Sequence, residues 1–254
     1  MARSAEEALG VAKRVLSGAT RITVLTGAGI STDAGIPDFR GPDGLWTRNP
    51  GAERASTIDN YLRDTEARRA SWRMRLDGRL LDARPTPGHR ALVDLEGQGR
   101  LEHLVTQNID GLHQRAGTSS ARLTEVHGSI AGYACVSCGS GGPIEPVVQR
   151  VLAGDDDPRC EHCAGILKTT VVMFGEMLPE GAMERAGDAI EVADAFLAVG
   201  TTLEVSPVNN MAFWALRRRI PVIVVNLGET AADSFATAKV EAPISEVLPE
   251  LLAN

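Results

Sequence analysis

The residues best suited to chemistry fall in three groups. Cys135-x-x-Cys138 and Cys160-x-x-Cys163 contain all four cysteines of the chain, with residues 139–159 between the pairs. Four thiolates satisfy tetrahedral Zn²⁺ and leave no position for an activated water, so the spacing predicts one structural zinc per chain. A redox dithiol also uses C-x-x-C, but two pairs flanking a Gly-rich stretch fit a metal knuckle better. His162, between the last two cysteines, reads as a solvent-facing neighbour. Cysteines gathered this closely do not form the spread framework of a secreted disulfide protein.

The second group is Gly27-Ala28-Gly29-Ile30-Ser31-Thr32-Asp33-Ala34-Gly35. Glycines after a strand let backbone approach a pyrophosphate, and the first free N–H groups of a following helix meet its charge. Thr32 occupies the third glycine position of the usual fingerprint, and a ligand-free strand-to-helix turn uses the same glycines. No acidic ribose reader follows about 20 residues on, so another strand must supply that contact. Asn226, after Val222–Val225, and Gly200-Thr201-Thr202, after Ala195–Val199, stand where strand ends meet ligand; Asn226 before Gly228 is equally a turn-former. The third group is polar: Thr106-Gln107-Asn108-Ile109-Asp110 at a strand end, and His127 beside the small-residue turn Gly128-Ser129.

Strands must end at each of these groups. Short apolar runs occur at Ile22–Thr26, Leu101–Thr106, Thr170–Phe174, Ala195–Val199 and Val222–Val225, separated by helical patterns such as Pro179–Val192 and Val208–Arg218. A first helix runs to about Ser17, opened by Ser4 and Glu7 in capping-box form. Alternating strands and helices predict an α/β fold, a Rossmann-like parallel sheet with helices on both faces. Two stretches break the alternation, giving a small zinc-ribbon and helical domain made from two insertions. The expected division is 1–44, 89–132 and 166–254 for the Rossmann-like dinucleotide-binding domain, with a helical insertion at 45–88 and a zinc-binding insertion at 133–165. Arg68, Arg69, Arg75 and Arg79 in the first insertion read as a solvated helix face.

Composition supports a globular chain: 254 residues, 43% hydrophobic and 23% charged. The formal charge of −7 argues against a broad electrostatic grip on nucleic acid. No apolar run approaches the roughly 20 residues a membrane helix needs, and the polar start lacks a signal-peptide core, so a cytoplasmic location is expected.

GAGISTDAGIPDFRG (Gly27 to Gly41), TQNIDGLHQRAG (Thr106 to Gly117), EVHGS (Glu125 to Ser129), the paired C-x-x-C motifs, VVMFGE (Val171 to Glu176), GTTLEVSP (Gly200 to Pro207) and VNLGET (Val225 to Thr230) stand in the order found in sirtuins. The chain resembles that family from about Ala5 to Leu252. Thr169, Met173 and Thr202 depart from the common pattern at positions that bear on peptide preference more than on activity.

The resemblance implies an NAD⁺-dependent protein-lysine deacylase that consumes NAD⁺ and yields nicotinamide, free lysine and 2′-O-acyl-ADP-ribose. Gly27, Ala28, Gly29, Thr32, Asp38, Phe39 and Arg40 would line the nicotinamide-ribose and pyrophosphate pocket. Gln107, Asn108 and Asp110 would orient nicotinamide and its ribose, while Gly200, Thr201, Thr202 and Asn226 would bind the adenosine half. His127 would be the general base, with Asn108 and Asp110 completing the catalytic set. An acylated-lysine protein or peptide would lie extended between Phe174-Gly175-Glu176 and Leu203-Glu204-Val205, held mainly by backbone hydrogen bonds. Relatives that remove acidic acyl groups carry Tyr-x-x-Arg in the helical insertion, where this chain has Trp72-Arg73-Met74-Arg75; acetyl-lysine is therefore the expected substrate. A mono-ADP-ribosyltransferase using the same pocket, or a non-catalytic NAD⁺ or zinc module, are the competing readings.

Overall fold

The computed structural model describes residues 4–39, 41, 44–48, 56–75 and 82–253. The chain opens with α1 (Ala5–Gly18), where the Ser4 hydroxyl accepts the Glu7 N–H at 3.2 Å and the Glu7 carboxylate accepts the Ser4 N–H at 3.0 Å. That reciprocal pair satisfies two of the donors a helix start leaves open. Strand β1 (Ile22–Thr26) follows and passes directly into a 3₁₀ turn, Ala28–Ala34. The glycine loop thus leads into a tighter helix than the α-helix a dinucleotide fold normally places there.

Helices α2 (Leu45–Arg48), α3 (Ile58–Arg63) and α4 (Thr65–Arg75) belong to the first insertion. The large domain resumes with α5 (Pro87–Gly97), β2 (Leu101–Thr106), α6 (Leu112–Ala116) and β3 (Leu123–Glu125). The second insertion holds β4 (Gly132–Cys135), β5 (Gly141–Pro143), α7 (Glu145–Leu152) and β6 (Leu167–Thr169). The chain closes with α8 (Ala182–Val192), β7 (Ala195–Val199), α9 (Asn210–Arg217), β8 (Val222–Val225), β9 (Ala238–Val240) and α10 (Ile244–Leu252).

The large sheet has the order β3-β2-β1-β7-β8-β9, parallel throughout. Its central strands β1, β7 and β8 are buried along their whole length because both faces are covered. Ile22, Val24, Leu197, Val199, Ile223 and Val225 pack under α1, α5 and α10, while Leu25, Phe196, Ala198 and Val224 pack under α8 and α9. Successive strand residues therefore alternate between two cores. The chain adds strands to one side of β1, then crosses to the other at β7, which places a switch-point crevice at the C-terminal ends of β1 and β7.

The second, antiparallel sheet has the order β5-β4-β6, with Cys135 opposite Leu167 and Ala134 opposite Lys168. It runs from Gly132 to Thr169, with Leu167–Thr169 paired to β4. Trp72 of α4, 2% exposed, joins Ile144, Val147, Cys135, Cys160 and Leu167 in this module's core. Arg68 is not solvated, as the helix-face reading expected: it is 3% exposed, and its Nε and Nη2 donate to the two Asp157 oxygens at 2.8 and 3.0 Å. Its remaining donors meet the carbonyls of Tyr61 and Leu62 and the Thr65 hydroxyl, so one guanidinium locks the two insertions together.

The expected strand at Thr170–Phe174 does not form. Its amides go to different neighbours: Thr170 to the Gly132 carbonyl, Val172 to that of His127, Phe174 to that of Ser56. It is a strap between the two domains and has no single ladder partner. Among the described residues, no helix is long and apolar enough to cross a membrane.

Candidate active site and metal centre

Parallel strands deliver their C-terminal ends to one edge, and the polar residues singled out above follow those ends. Gly27–Ser31 succeeds β1, Gln107–Asp110 succeeds β2, His127 lies just past β3, Gly200–Thr202 succeeds β7 and Asn226 succeeds β8.

The turns after β1 and β7 touch backbone to backbone. A Cβ on Gly27 would lie 2.7 Å from the Gly200 carbonyl oxygen, and one on Gly200, whose φ is 63°, would lie 2.5 Å from the Ile30 nitrogen. Glycine is required there by the protein's own crossing. The amides of Gly27, Gly29 and Ile30 donate to the carbonyls of Val199, Gly200 and Gly27. These three N–H groups are spent within the protein. Thr32 is exposed and its hydroxyl donates to the Gly29 carbonyl at 3.0 Å.

Behind this crossing lies a connected polar cluster. Asn108 Nδ2 donates to the Gly27 carbonyl at 3.1 Å and to Ser31 Oγ at 3.2 Å, and Ser31 Oγ donates to Asp110 Oδ2 at 2.8 Å. Asp110 Oδ1 accepts the Leu112 amide at 2.9 Å. Burial pushes the Asp110 carboxyl above its usual range, while the Leu112 amide, the Ser31 hydroxyl and Arg115 pull it back. Gln107 Nε2 donates to Thr201 Oγ1 at 2.8 Å, tying the β2 end to the β7 end.

His127 Nδ1 lies 3.0 Å from the Gln107 carbonyl oxygen. A carbonyl only accepts, so Nδ1 carries the proton and Nε2 keeps its lone pair. Burial lowers the His127 pKa below 6.5, opposed by that carbonyl bond, so the ring is neutral at neutral pH. A half-buried imidazole with a fixed tautomer and a basic Nε2 is equipped to take a proton.

Several expected roles meet a different geometry. Leu203, 2% exposed with φ 57°, packs in the core under α8 and α9, so only its backbone can serve a peptide. The Phe174 amide and carbonyl are engaged by Ser56 and Ile58, and the Glu176 carboxylate accepts the Met173 amide at 2.8 Å, so neither presents those groups to a groove. Asn226 Nδ2 donates to the Gly228 carbonyl at 3.0 Å, the turn-forming role. Trp72, buried in the small domain, does not line an acyl pocket. Asp38 accepts the Gly41 amide at 3.0 Å, and Phe39 stands 38% exposed beside it. Arg40 and the side chain of Arg75 lie outside the described residues. Ser31, at the centre of the cluster, was not singled out from the sequence although it stands inside the quoted loop; a hydroxyl among glycines was the available signal.

In the small domain the four Sγ atoms lie within 4.8 Å of one another, with Cys135 to Cys163 at 3.5 Å and Cys138 to Cys160 at 3.7 Å. Tetrahedral Zn–S bonds of ~2.3 Å require S–S edges of about 3.8 Å, so the cluster fits zinc. The knuckles repeat each other. Gly139 and Ala164, each just after a second cysteine, take φ of 72° and 58°, and their amides donate to the carbonyls of Cys135 and Cys160. A redox dithiol has no need of the second, matching pair.

The Sir2 family model matches residues 27–207. An NAD-dependent protein deacetylase 2 of Streptomyces coelicolor is 44% identical over 237 residues, covering 93% of this chain and 98% of that one. An NAD-dependent protein deacylase 2 of Pyrobaculum aerophilum is 38% identical, covering 94% and 92%. Among solved structures, a Sir2 complex with a p53 peptide and NAD⁺ superposes with a TM-score of 0.83 at 34% identity, covering 94% and 95% of the two chains. A Sir2 complex with a propionylated peptide gives 0.82 at 32% identity, covering 94% of each.

Proposed function

The chain belongs to the Sir2 family and is an NAD⁺-consuming protein deacylase, and we propose that it acts on acyl-lysine with His127 as general base and with Asn108, Asp110 and Ser31 as the groups that hold the nicotinamide riboside end. The observation that carries this reading is the His127–Gln107 bond. It leaves a basic Nε2 on a neutral ring at the strand-end edge that also carries the Asn108–Ser31–Asp110 cluster.

When bound, NAD⁺ supplies an electrophilic ribose carbon and nicotinamide as leaving group. His127 Nε2 takes the proton of a ribose hydroxyl, which turns that oxygen into the acceptor of the acyl group. Asn108 and Asp110 act by position, since reacting groups held in place convert a bimolecular encounter into a local one. Phe39, exposed at the rim, shields the ribose from water. Gln107 joined to Thr201 links the two halves of the cofactor site, with Thr202 and Asn226 toward the adenosine.

An acylated peptide lies between Gly175 and the segment Leu203-Glu204-Val205, recognised chiefly through backbone. The four cysteines hold one Zn²⁺ that stabilises the small domain and takes no part in the reaction. Cysteines kept out of disulfides and gathered at a zinc site fit a reducing, cytoplasmic location.

The test is His127→Ala, assayed for acetyl-lysine turnover and for NAD⁺ binding. Turnover should fall by about 10²-fold or more while binding and melting temperature stay near wild type. The acid limb of wild-type kcat/KM should fall at lower pH than it would for a free imidazole, because burial lowers the base pKa. Retention of more than about a tenth of the turnover removes His127 from this role.

A further inference from the structure

Lys168 is one of the chain's three lysines and the only one of them that is buried, at 8% exposure. It sits on β6, opposite Ala134 and next to Leu167, which faces the metal-cluster residue Cys135. Its ammonium donates to the Val171 carbonyl at 2.8 Å and lies 3.0 Å from Glu176 Oε2. That same Glu176 oxygen accepts the Met173 amide at 2.8 Å, and the Glu176 amide returns to the Met173 carbonyl at 3.0 Å. The turn closed in this way has Gly175 at φ 92°.

Burying an ammonium is costly unless it is paired and hydrogen-bonded, and here it meets two acceptors on one short segment. A merely solubilising lysine has no reason to occupy that place. The segment it grips is also bound at Val172, whose amide donates to the His127 carbonyl, and at Phe174, which bridges to Thr57 and its neighbours. The strap between Lys168 and Glu176 therefore touches the small domain, the first insertion and the residue of the general base.

We propose that Lys168 is a positioning residue for the acyl-lysine peptide: through Glu176 it fixes the Met173–Glu176 turn, and so sets the backbone edge that the peptide pairs with. This rests on the peptide site proposed above. Glu176 then works from behind the groove, with its carboxylate committed to Lys168 and Met173. The positive charge is needed at one point only, so arginine, which can reach the same carboxylate, should replace lysine in part.

The test is steady-state kinetics of the full chain with an acetyl-lysine peptide and NAD⁺, alongside zinc content and melting temperature. Wild type is compared with Lys168→Met, Lys168→Arg, Glu176→Gln and Gly175→Val. Lys168→Met should raise KM for peptide roughly tenfold, with KM for NAD⁺ and zinc content within about twofold of wild type, and Lys168→Arg should recover most of the loss. Glu176→Gln should raise the same KM, and combining it with Lys168→Met should add little, because the two act as one pair. Should Lys168→Met fail to fold, Lys168→Arg and Glu176→Gln carry the test: peptide KM unchanged in Glu176→Gln overturns the proposal. An equal rise in both KM values for Lys168→Met also overturns it, since that is general loosening. Gly175→Val separates the two readings, because a β-branched residue resists a φ of 92°. A raised peptide KM there with an unchanged one in Lys168→Met sinks the clamp and keeps the groove, whereas an unchanged KM in Gly175→Val sinks the groove itself.

Discussion

His89 and His113 show how much of the site is held by groups that never touch substrate. Their rings lie 4.7 Å apart in the core, and the pair spans two parts of the active edge. His89 Nδ1 accepts the Thr86 amide, while the Thr86 hydroxyl donates to the Ile30 carbonyl beside Ser31. His113 Nε2 meets Thr26 Oγ1 at 2.9 Å; that hydroxyl joins Thr106 Oγ1, which accepts the Asn108 amide. Burial lowers both pKa values, to about 4 for His89, where Arg115 adds to the effect, and to about 3 for His113, where His89 does. Both rings stay neutral in the folded chain. Once unfolded they titrate near 6.5, so the unfolded state binds more protons as pH falls below that value. Their contribution to stability is complete above about pH 6.5 and is lost as pH falls toward 4 and 3. The variant His89→Asn/His113→Gln should be less stable at pH 8 yet lose less on acidification, by on the order of a few kcal/mol between pH 7 and 5. Denaturant unfolding at both pH values measures this, and an unchanged acid slope contradicts it. The sequence made Gln107, Asn108, Asp110 and His127 legible because polar residues at strand ends point to ligand; Ser31 and His113 were hidden because their partners lie far along the chain, and His89 because its bond to Thr86, three residues away, is that of a helix start and says nothing of the ring it packs against.

The strands Ile22–Thr26, Leu101–Thr106, Ala195–Val199 and Val222–Val225 could be read to the residue: three are buried throughout, Leu101–Thr106 is buried except at Glu102 and His103, and each is cut off by a polar or glycine turn. The edge strands β3 and β9 have only three residues each and carry polar side chains, so no run announced them. Thr170–Phe174 was misleading in the other direction. An apolar stretch bridging two domains has the composition of a strand without the partner that makes one. The small domain was legible in its cysteines and illegible in its lock, because Arg68 and Asp157 meet only once both insertions have folded. Metal binding supplies folding energy to such a module. Treatment with a strong chelator should remove one zinc per chain and lower the melting temperature, and Cys135→Ser should do likewise; a metal-free preparation melting unchanged counts against the structural role. The helical insertion also bears on the acyl group. Trp72 packs with Ile144 and Val147 in the small-domain core, so its ring is not offered to an acyl carboxylate. We expect a higher kcat/KM for an acetyl peptide than for its succinyl counterpart, with the ratio unmoved by Arg75→Met. A succinyl preference abolished by that substitution would show the opposite.

At the scale of the whole molecule, one parallel sheet crossing itself at β1 and β7 explains why residues scattered from Gly27 to Asn226 reach one edge. The Gly27–Gly200 contact draws the two strand ends together, and the strap from Lys168 to Glu176 brings the second domain to the same place. This edge moves an acyl group from lysine to the ribose of NAD⁺. The competing outcome for the same pocket is transfer of ADP-ribose to a protein side chain. Mass spectrometry of every product of a single turnover, with NAD⁺ and one acetyl-lysine peptide, separates the two. The peptide should lose its acetyl group while nicotinamide and acetyl-ADP-ribose appear in equal amounts, all abolished by His127→Ala. A peptide that gains ADP-ribose, or NAD⁺ consumed while the acetyl group stays on lysine, would rule out acyl transfer at this edge.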